Sequence, residues 1–438
     1  MRRPSTPLLP PRGTRQRGAA LLVVITSVAI LTAVCVDLAY NTRVALQSAA
    51  NARDELRAYY LAKSAVAMSR LVLHFQQRLD GVSGAAGAVG GGGPKLAMRL
   101  WELVPVDSSA VSLFLGGGGP GGDESAVRLA SAPPPPPAGA AQEEGAAAQG
   151  PSEGTRRAFG DVEGSFHAVI DDEERKVNLR QFEASKVLQA PQVARLAEMV
   201  KDPKWDFIFD EDDANGMRVA RKDTFAAIKD WVDENETSSA FSPLGFEDGF
   251  GDENGWYERL PDRYKAKNAP FDSLDEAYLV AGVNDAFMAA FGDKLTVYPD
   301  VNATINVNTD DPTQLLVNAL LMSDPPGVPQ PNLADPAFIQ KLQAALALAK
   351  PMPFMAISPQ QFAGVLQALG LKIQTLYTTQ AVNTDNRNPF GDRSATFHIG
   401  AVGVAGSVTK HIEAVVTFDR RAEGLAQDNG RLLHWHEE

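Results

Sequence analysis

The sequence predicts an α+β fold, and three observations predict it. Ala19 to Asp80 runs without a single Gly or Pro, which is the mark of one very long helix. Gly164–Ile170, Thr396–Val404 and Thr409–Phe418 alternate as strands do, and the last two are joined at Ala405-Gly406-Ser407, a hairpin signal. Between the first strand and the last two lies a long stretch of helical pattern. The order helix, strand, helices, strands places a small antiparallel sheet on the long helix, with a large all-α domain inserted between the strands.

The long helix comes first in the chain. An arginine-rich leader, residues 1–18, ends at Gly18. Ala19 to Val36 is then uncharged, AALLVVITSVAILTAVCV, and about 18 to 20 apolar residues suffice to span a bilayer. The pattern continues through Asp37-Leu38-Ala39-Tyr40 without a change of composition. A helix over 19–80 would be roughly 90 Å long. Its second half keeps an apolar stripe through Leu56, Tyr60, Ala67, Leu71 and Phe75 near helical spacing, flanked or interrupted by Arg53, Asp54, Arg57, Lys63 and Arg70, so its amphipathicity is moderate. A secretory signal peptide also starts basic and apolar, but it is cut after the apolar run at a small-x-small site. Here the small residue, Gly18, stands before the run. The leader's five arginines and the acidic bulk beyond follow the positive-inside rule, placing the C-terminal body on the outer side of the inner membrane.

Residues 81–158 are rich in Gly, Pro and Ala, with a short helical piece near Leu100 and a five-proline run at Pro133–Pro137. Such composition builds no core, and 116–158 reads as a linker-like insert. Residues 159–177 hold the first strand of the sheet, 178–390 the inserted helical domain, and 391–438 the C-terminal strands, with Arg431–His436 as a last one. Within the lobe the expected helices are Pro191–Val200, Asp223–Val232, Asp275–Ala281, Asp285–Phe291, Pro312–Met322, Ala337–Ala349 and Pro359–Leu369, several opening on Asp or Pro.

Composition narrows the function. A net charge of −13 argues against nucleic acid as a main partner. The single cysteine, Cys35, lies inside the apolar run and says nothing of redox compartment. There is no nucleophile elbow, P-loop or HExxH, and the Gly-rich stretches at 90–93 and 116–122 lack the Lys of a phosphate cradle. His434 and His436, two apart on a strand, permit a Zn²⁺ pair without requiring one. Leu279–Val283 and Ile305–Thr309 resemble pieces of helix-hairpin-helix modules, yet Asp272, Asp275, Glu276, Asp285, Asp310 and Asp311 surround them, so packing is the better reading. In that reading Gly282 makes a tight turn and Asp311 caps the helix from Pro312. Carboxylates and amides cluster in 205–258, and Ca²⁺ takes six to eight oxygen ligands from such loops. The spacing is not that of an EF-hand, and a solvated acidic face is the plainer reading of any charge run.

Several motifs carry a resemblance. RQRG/AALLVVITSVAIL resembles a type IV prepilin-like signal, cut between Gly18 and Ala19, with N-methylation of Ala19 implied. Residues 50–69 (ANARDELRAYYLAKSAVAMS), 170–179 (IDDEERKVNL), 228–233 (IKDWVD), 251–279 (GDENGWYERLPDRYKAKNAPFDSLDEAYL) and 305–309 (INVNT) together resemble the K-type minor pseudopilin of type II secretion systems, general secretion pathway protein K. Most pilins have Glu at the fifth mature position; here it is Val23, and the K type is known for lacking that Glu. The resemblance implies a pilin-like body with SAM-like or helix-hairpin-helix-like modules inserted in the sheet. It implies a non-enzymatic role with the I and J minor pseudopilins at the tip of a periplasmic pseudopilus. The major pseudopilin, prepilin peptidase and inner-membrane secretion components are the further partners implied. Calcium in the helical lobe is implied too, on Asp233, Asn235, Glu253 and Asn254, with Asp230 next. Two other readings stand beside it: a competence-type pilus component that contacts DNA, and a membrane-anchored, Ca²⁺-binding periplasmic enzyme.

Overall fold

The structure is a computed structural model. It describes residues 16–89, 97–108, 163–212, 216–242, 245–335, 337–350, 352, 354–378, 388–418 and 430–438, and side chains in the first helix over 19–80. The leader before Gln16 and the insert over 116–158 lie outside the described residues.

Helix α1 is Gln16–Val89, 74 residues without interruption. Gly18 therefore lies near the start of a continuous helix. The stretch from Ala19 contains a window of mean hydropathy 2.7 that is nowhere buried, long and apolar enough to cross a membrane. From Ala58 the helix is docked on a five-stranded antiparallel sheet. Its strands are β1 (Val106–Asp107), β2 (Ser165–Asp172) and three from the end of the chain.

The lobe follows β2. Helix α2 is Lys186–Met199, α3 is Arg221–Val232, and a hairpin of β3 (Thr237–Ser242) and β4 (Gly245–Asp252) comes next. Then come α4 (Asp285–Phe291), α5 (Pro312–Met322), α6 (Phe338–Ala349) and α7 (Pro359–Ala368). The chain returns to the sheet in β5 (Thr396–Ala405), β6 (Val408–Thr417) and β7 (Arg431–Glu437). The sheet order is β7-β6-β5-β2-β1. β2 pairs directly with β5, Ile170 opposite Ile399, so the lobe is an insertion between two neighbouring strands. The fold is α+β as the sequence predicts. Two features were not foreseen: the β3–β4 hairpin within the lobe, and β1, which comes from the Gly/Pro/Ala-rich region and caps the sheet edge against β2.

The packing stripe of α1 is not the apolar stripe read from the sequence. The buried residues over 58–80 are Ala58, Leu61, Ala62, Ala65, Val66, Ser69, Leu73, Gln76 and Asp80. Leu56, Tyr60, Ala67, Leu71 and Phe75 are exposed on the opposite side. The reason is distance. Gly403 of β5 lies so close that an added Cβ would meet the Ala58 carbonyl oxygen at 2.1 Å and the Ala62 nitrogen at 2.5 Å. Only a small-residue face permits that approach.

The lobe has two cores. Phe182, Leu196, Phe225, Ile228, Trp231, Phe287 and Phe291 centre the first, and Leu315, Phe338, Leu342, Phe362 and Leu366 the second. Both chain connections to the sheet meet at one buried carboxylate. Asp172, fully buried, accepts from Asn306 Nδ2 at 3.0 Å and Ser394 Oγ at 2.6 Å, and ion-pairs with Arg175 Nε at 3.3 Å. Burial pushes its pKa up, while Arg175 and the hydrogen bonds pull down. Asn308 next along bonds both the amide and the carbonyl of Ile357. The Ile305–Thr309 motif is thus the joint between sheet and lobe.

Candidate functional site

The predicted ligand residues meet where α3 ends and the β3–β4 hairpin closes. α3 forms because Phe225, Ile228, Trp231 and Val232 recur at helical spacing and enter the first core. That orientation carries Asp230 inward, where only 5% of it is exposed. Asp230 Oδ1 accepts from the Ser239 amide at 2.8 Å, which ties the helix to the hairpin. Asp233 follows at the C-cap. Its Oδ2 accepts from Lys229 Nζ at 2.9 Å and Asn235 Nδ2 at 2.9 Å, and its Oδ1 is buried without a partner. Trp231 Nε1 donates to Glu276 Oε1 at 3.1 Å, and Glu276 also holds Lys267. The 228–233 and 251–279 motifs therefore clamp each other.

At the end of β4, Asp252 Oδ1 accepts from the Asn254 amide at 2.9 Å and folds the chain into a tight turn. The turn sends Glu253 inward, 2% exposed, with neither carboxylate oxygen hydrogen-bonded. Asn268 stands beside it in the left-handed region, at φ 52°. Its Nδ2 donates to the Asn235 carbonyl at 2.9 Å, while its Oδ1 is buried and unpartnered. Asn268 belongs to the Lys-Asn-x-Pro-Phe run, but nothing in the spacing marked it as part of the site. The two amides expected as ligands are engaged otherwise: Asn235 Oδ1 accepts from Thr237 N at 2.7 Å and Asn254 Oδ1 from Ala266 N at 3.0 Å.

The electrostatics are those of crowded, desolvated acids. Burial pushes the Glu253 carboxyl up to about 7. The Asn268 amide is near enough to pull downward without a well-formed hydrogen bond, and the charges of Asp233, Asp230 and Asp252 push further up. Burial likewise raises Asp230 to about 6, against its bonds to Ser239, and raises Asp233 against Lys229. Four buried oxygens are thus left without donors: both of Glu253, Oδ1 of Asp233 and Oδ1 of Asn268. Every one is an acceptor, and an unmet buried acceptor costs about 1–3 kcal/mol. A hard cation such as Ca²⁺, which takes carboxylate and amide oxygens together, is one kind of group that would satisfy such acceptors. Among the described residues no group of three His, Cys, Asp or Glu side chains is arranged to hold a metal, so amide and carbonyl oxygens must complete any shell.

The remaining acids are surface charges. Asp206 pairs with Arg221 at 2.6 Å and Asp210 with Arg218 at 3.1 Å, while Glu247 and Asp248 are solvated. Asp311 Oδ1 caps α5 through Thr313 N at 2.8 Å, and Gly282 turns at φ 83° against Thr224. His434 stacks near Tyr298 at 5.6 Å, and His436 faces Glu438 at 3.5 Å.

The second functional region is α1. Val23 is exposed and the first turn of the helix holds no acid. Below the membrane-length stretch, the outward stripe of Leu56, Tyr60, Ala67, Leu71 and Phe75 runs opposite the docked face.

No protein-family model matches the sequence, and no curated protein is significantly similar to it. Among solved structures it is similar to a chain of the GspK–GspI–GspJ complex from the enterotoxigenic Escherichia coli type 2 secretion system. The TM-score is 0.36 and the identity 15%, over 63% of this chain and 80% of that one. A likeness at that level transfers no function.

Proposed function

We propose that this chain is a minor pseudopilin of a type II secretion system, of the K type. With I- and J-type partners it would form the complex that starts and caps the periplasmic pseudopilus. The observation that carries this reading is the two-faced helix. One face of α1 is docked on the sheet, with Ala58 and Ala62 at the closest approach, while on the opposite face Leu56, Tyr60, Leu71 and Phe75 stand exposed among Arg53, Lys63 and Arg78, and both faces continue a membrane-length apolar segment. A free apolar stripe in line with a membrane segment is a surface for packing against other helices. Val23 in place of a carboxylate suits a subunit at a filament end, where it need not neutralise a neighbour's N-terminal amine.

In this reading prepilin peptidase cuts after Gly18, Ala19 is methylated, and the body lies in the periplasm with the N-terminus at the cytoplasmic side. The role is assembly, with no reaction catalysed and no nucleic acid bound. The test is co-purification of the detergent-extracted full chain with I- and J-type minor pseudopilins. A stable complex is expected; its absence sinks the proposal.

We also propose a structural Ca²⁺ held by Glu253, Asp233 and Asn268, with Asp230 behind them and Asn235 and Asn254 shaping the loops. A ligand present at 100 times its Kd stabilises by about 2.7 kcal/mol. Melting in Ca²⁺ against chelator should therefore separate by several degrees, and Glu253→Gln should abolish the separation. Coincident melts of the parent protein would remove the site.

A further inference from the structure

Five of the chain's six histidines share one surface, and strand register puts them there. Side chains alternate along a strand, so the buried residues fix which face the others take. Phe166 of β2, Ile399 of β5, Ala414 of β6 and Trp435 of β7 pack into the core shared with α1. His167, His398, His411, His434 and His436 stand at the alternate positions and so face away from α1.

Three groups on that outer face are neighbours. His398 Nε2 lies 3.8 Å from Glu413 Oε2. On the other side of Glu413, β6 and β7 pair with His436 directly opposite it. Residues opposite each other on an antiparallel pair have Cβ atoms about 4.5–5.5 Å apart. Glu413 thus stands between two imidazoles from two different strands. Gly400 of β5 is its opposite residue there, two along from His398. A Cβ at Gly400 would meet nothing within 4 Å. Gly403 is required by the approach of α1, but no neighbour requires Gly400. Glycine weakens a strand interior, and it often marks a place where a ligand comes close.

The donor set selects the ligand. Two imidazoles with one carboxylate suit Zn²⁺, whereas Ca²⁺ takes oxygen ligands. Zinc bonds of about 2.0–2.2 Å let one ion bridge two donors at the His398–Glu413 separation with little movement. The three side chains are accessible, at 28%, 58% and 53% exposed for His398, Glu413 and His436. His434 is engaged otherwise, its ring beside Tyr298. The pair that fits is therefore not the His434 and His436 of the sequence spacing. As the side chains stand, no three converge on a point. His436 has to turn from Glu438, 3.5 Å away, and an exposed pair of that kind is worth little.

We propose that His398, Glu413 and His436 bind one Zn²⁺ ion on the outer face of the sheet, with water as the fourth ligand. The site is separate from the acid cluster, which lies in the lobe. The probe is zinc chloride, titrated by calorimetry into the chelator-stripped, detergent-extracted full chain, with excess Ca²⁺ present to occupy that cluster. Saturable one-to-one binding is expected. His398→Asn, Glu413→Gln and His436→Asn should each weaken it roughly tenfold or more and leave the zinc-free melting temperature unchanged. His411→Asn, on the same face but outside the set, should bind zinc as the parent does. No saturable binding, parental affinity in any of the three variants, or an equal loss in His411→Asn would each overturn the proposal.

Discussion

The two faces of the second half of α1 are built on opposite principles. The inner face is lined at its closest approach by the small residues Ala58, Ala62, Ala65 and Ser69, all completely buried, with Leu61, Val66 and Leu73 beside them. The outer face carries Leu56, Tyr60, Leu71 and Phe75, which are 61%, 60%, 43% and 55% exposed. A globular protein normally buries its large apolar residues and leaves small ones where they fall. Here closeness governs the inside, because the helix backbone lies against β5 at Gly403. The outside offers bulk, set among the charges of Arg53, Lys63 and Arg78, and no other described residue buries it. The helix is therefore finished as a fold element on one face and unfinished on the other. That asymmetry is what a subunit of a larger helical bundle requires.

The comparison breaks first on the inner face. Leu73, with Leu61 and Val66, is one of the larger residues of that face, and it is fully buried against the sheet core. Leu73→Ala should cost about 2–5 kcal/mol, measured by denaturant unfolding. Gly403→Ala should cost about 1–3 kcal/mol, because its Cβ would meet helix backbone that no rotamer change can move. If both variants unfold like the parent, the docked face has been assigned wrongly.

How far these features were legible depends on what each residue signals. Helices α4 and α5 match their predicted bounds, Asp285–Phe291 and Pro312–Met322. Asn284 and Asp311 cap them, and a cap is a local signal. The strands β5 and β6 alternate and were equally plain. The inner face of α1 was not, because apolar periodicity weights large side chains, and the stripe it selects is the free one. The β3–β4 hairpin was hidden for a different reason: TSSAFS and GFEDGFGD do not alternate, and Gly249 is needed only because Ser238 approaches it. At the acid cluster, the family resemblance pointed to Asp233 and Glu253, while residue type alone reads as a solvated acidic face. Asn268 enters through a backbone conformation at φ 52°, which composition does not reveal.

The outer face should answer oppositely to the inner one. Leu71→Ser with Phe75→Ser should change unfolding stability by no more than about 0.5 kcal/mol, as surface changes do. The same pair should lower recovery of the other minor pseudopilins in co-purification, since the stripe is where their helices would pack. Full recovery with the double variant would assign partner binding to some other surface and leave the stripe unexplained.

The smallest expected effect on the fold is also the most specific to the role proposed. Val23 is exposed in the apolar segment and touches no part of the body, so Val23→Glu should leave the melting temperature of the body where it was. Its effect belongs to the membrane and the bundle. A lone carboxylate at the centre of a membrane helix costs about 2.5–3.5 kcal/mol, and one nearer the end, as at position 23, costs less but still favours a positive partner. In a bundle of cut subunits that group is a neighbour's N-terminal amine, so a glutamate here would let this chain sit anywhere along the filament instead of at its end. Pseudopilus length, measured by electron microscopy of overexpressing cells, should then lose its control, and secretion should fall. Filaments of parental length with parental secretion would show that the valine is not what confines the subunit to the tip.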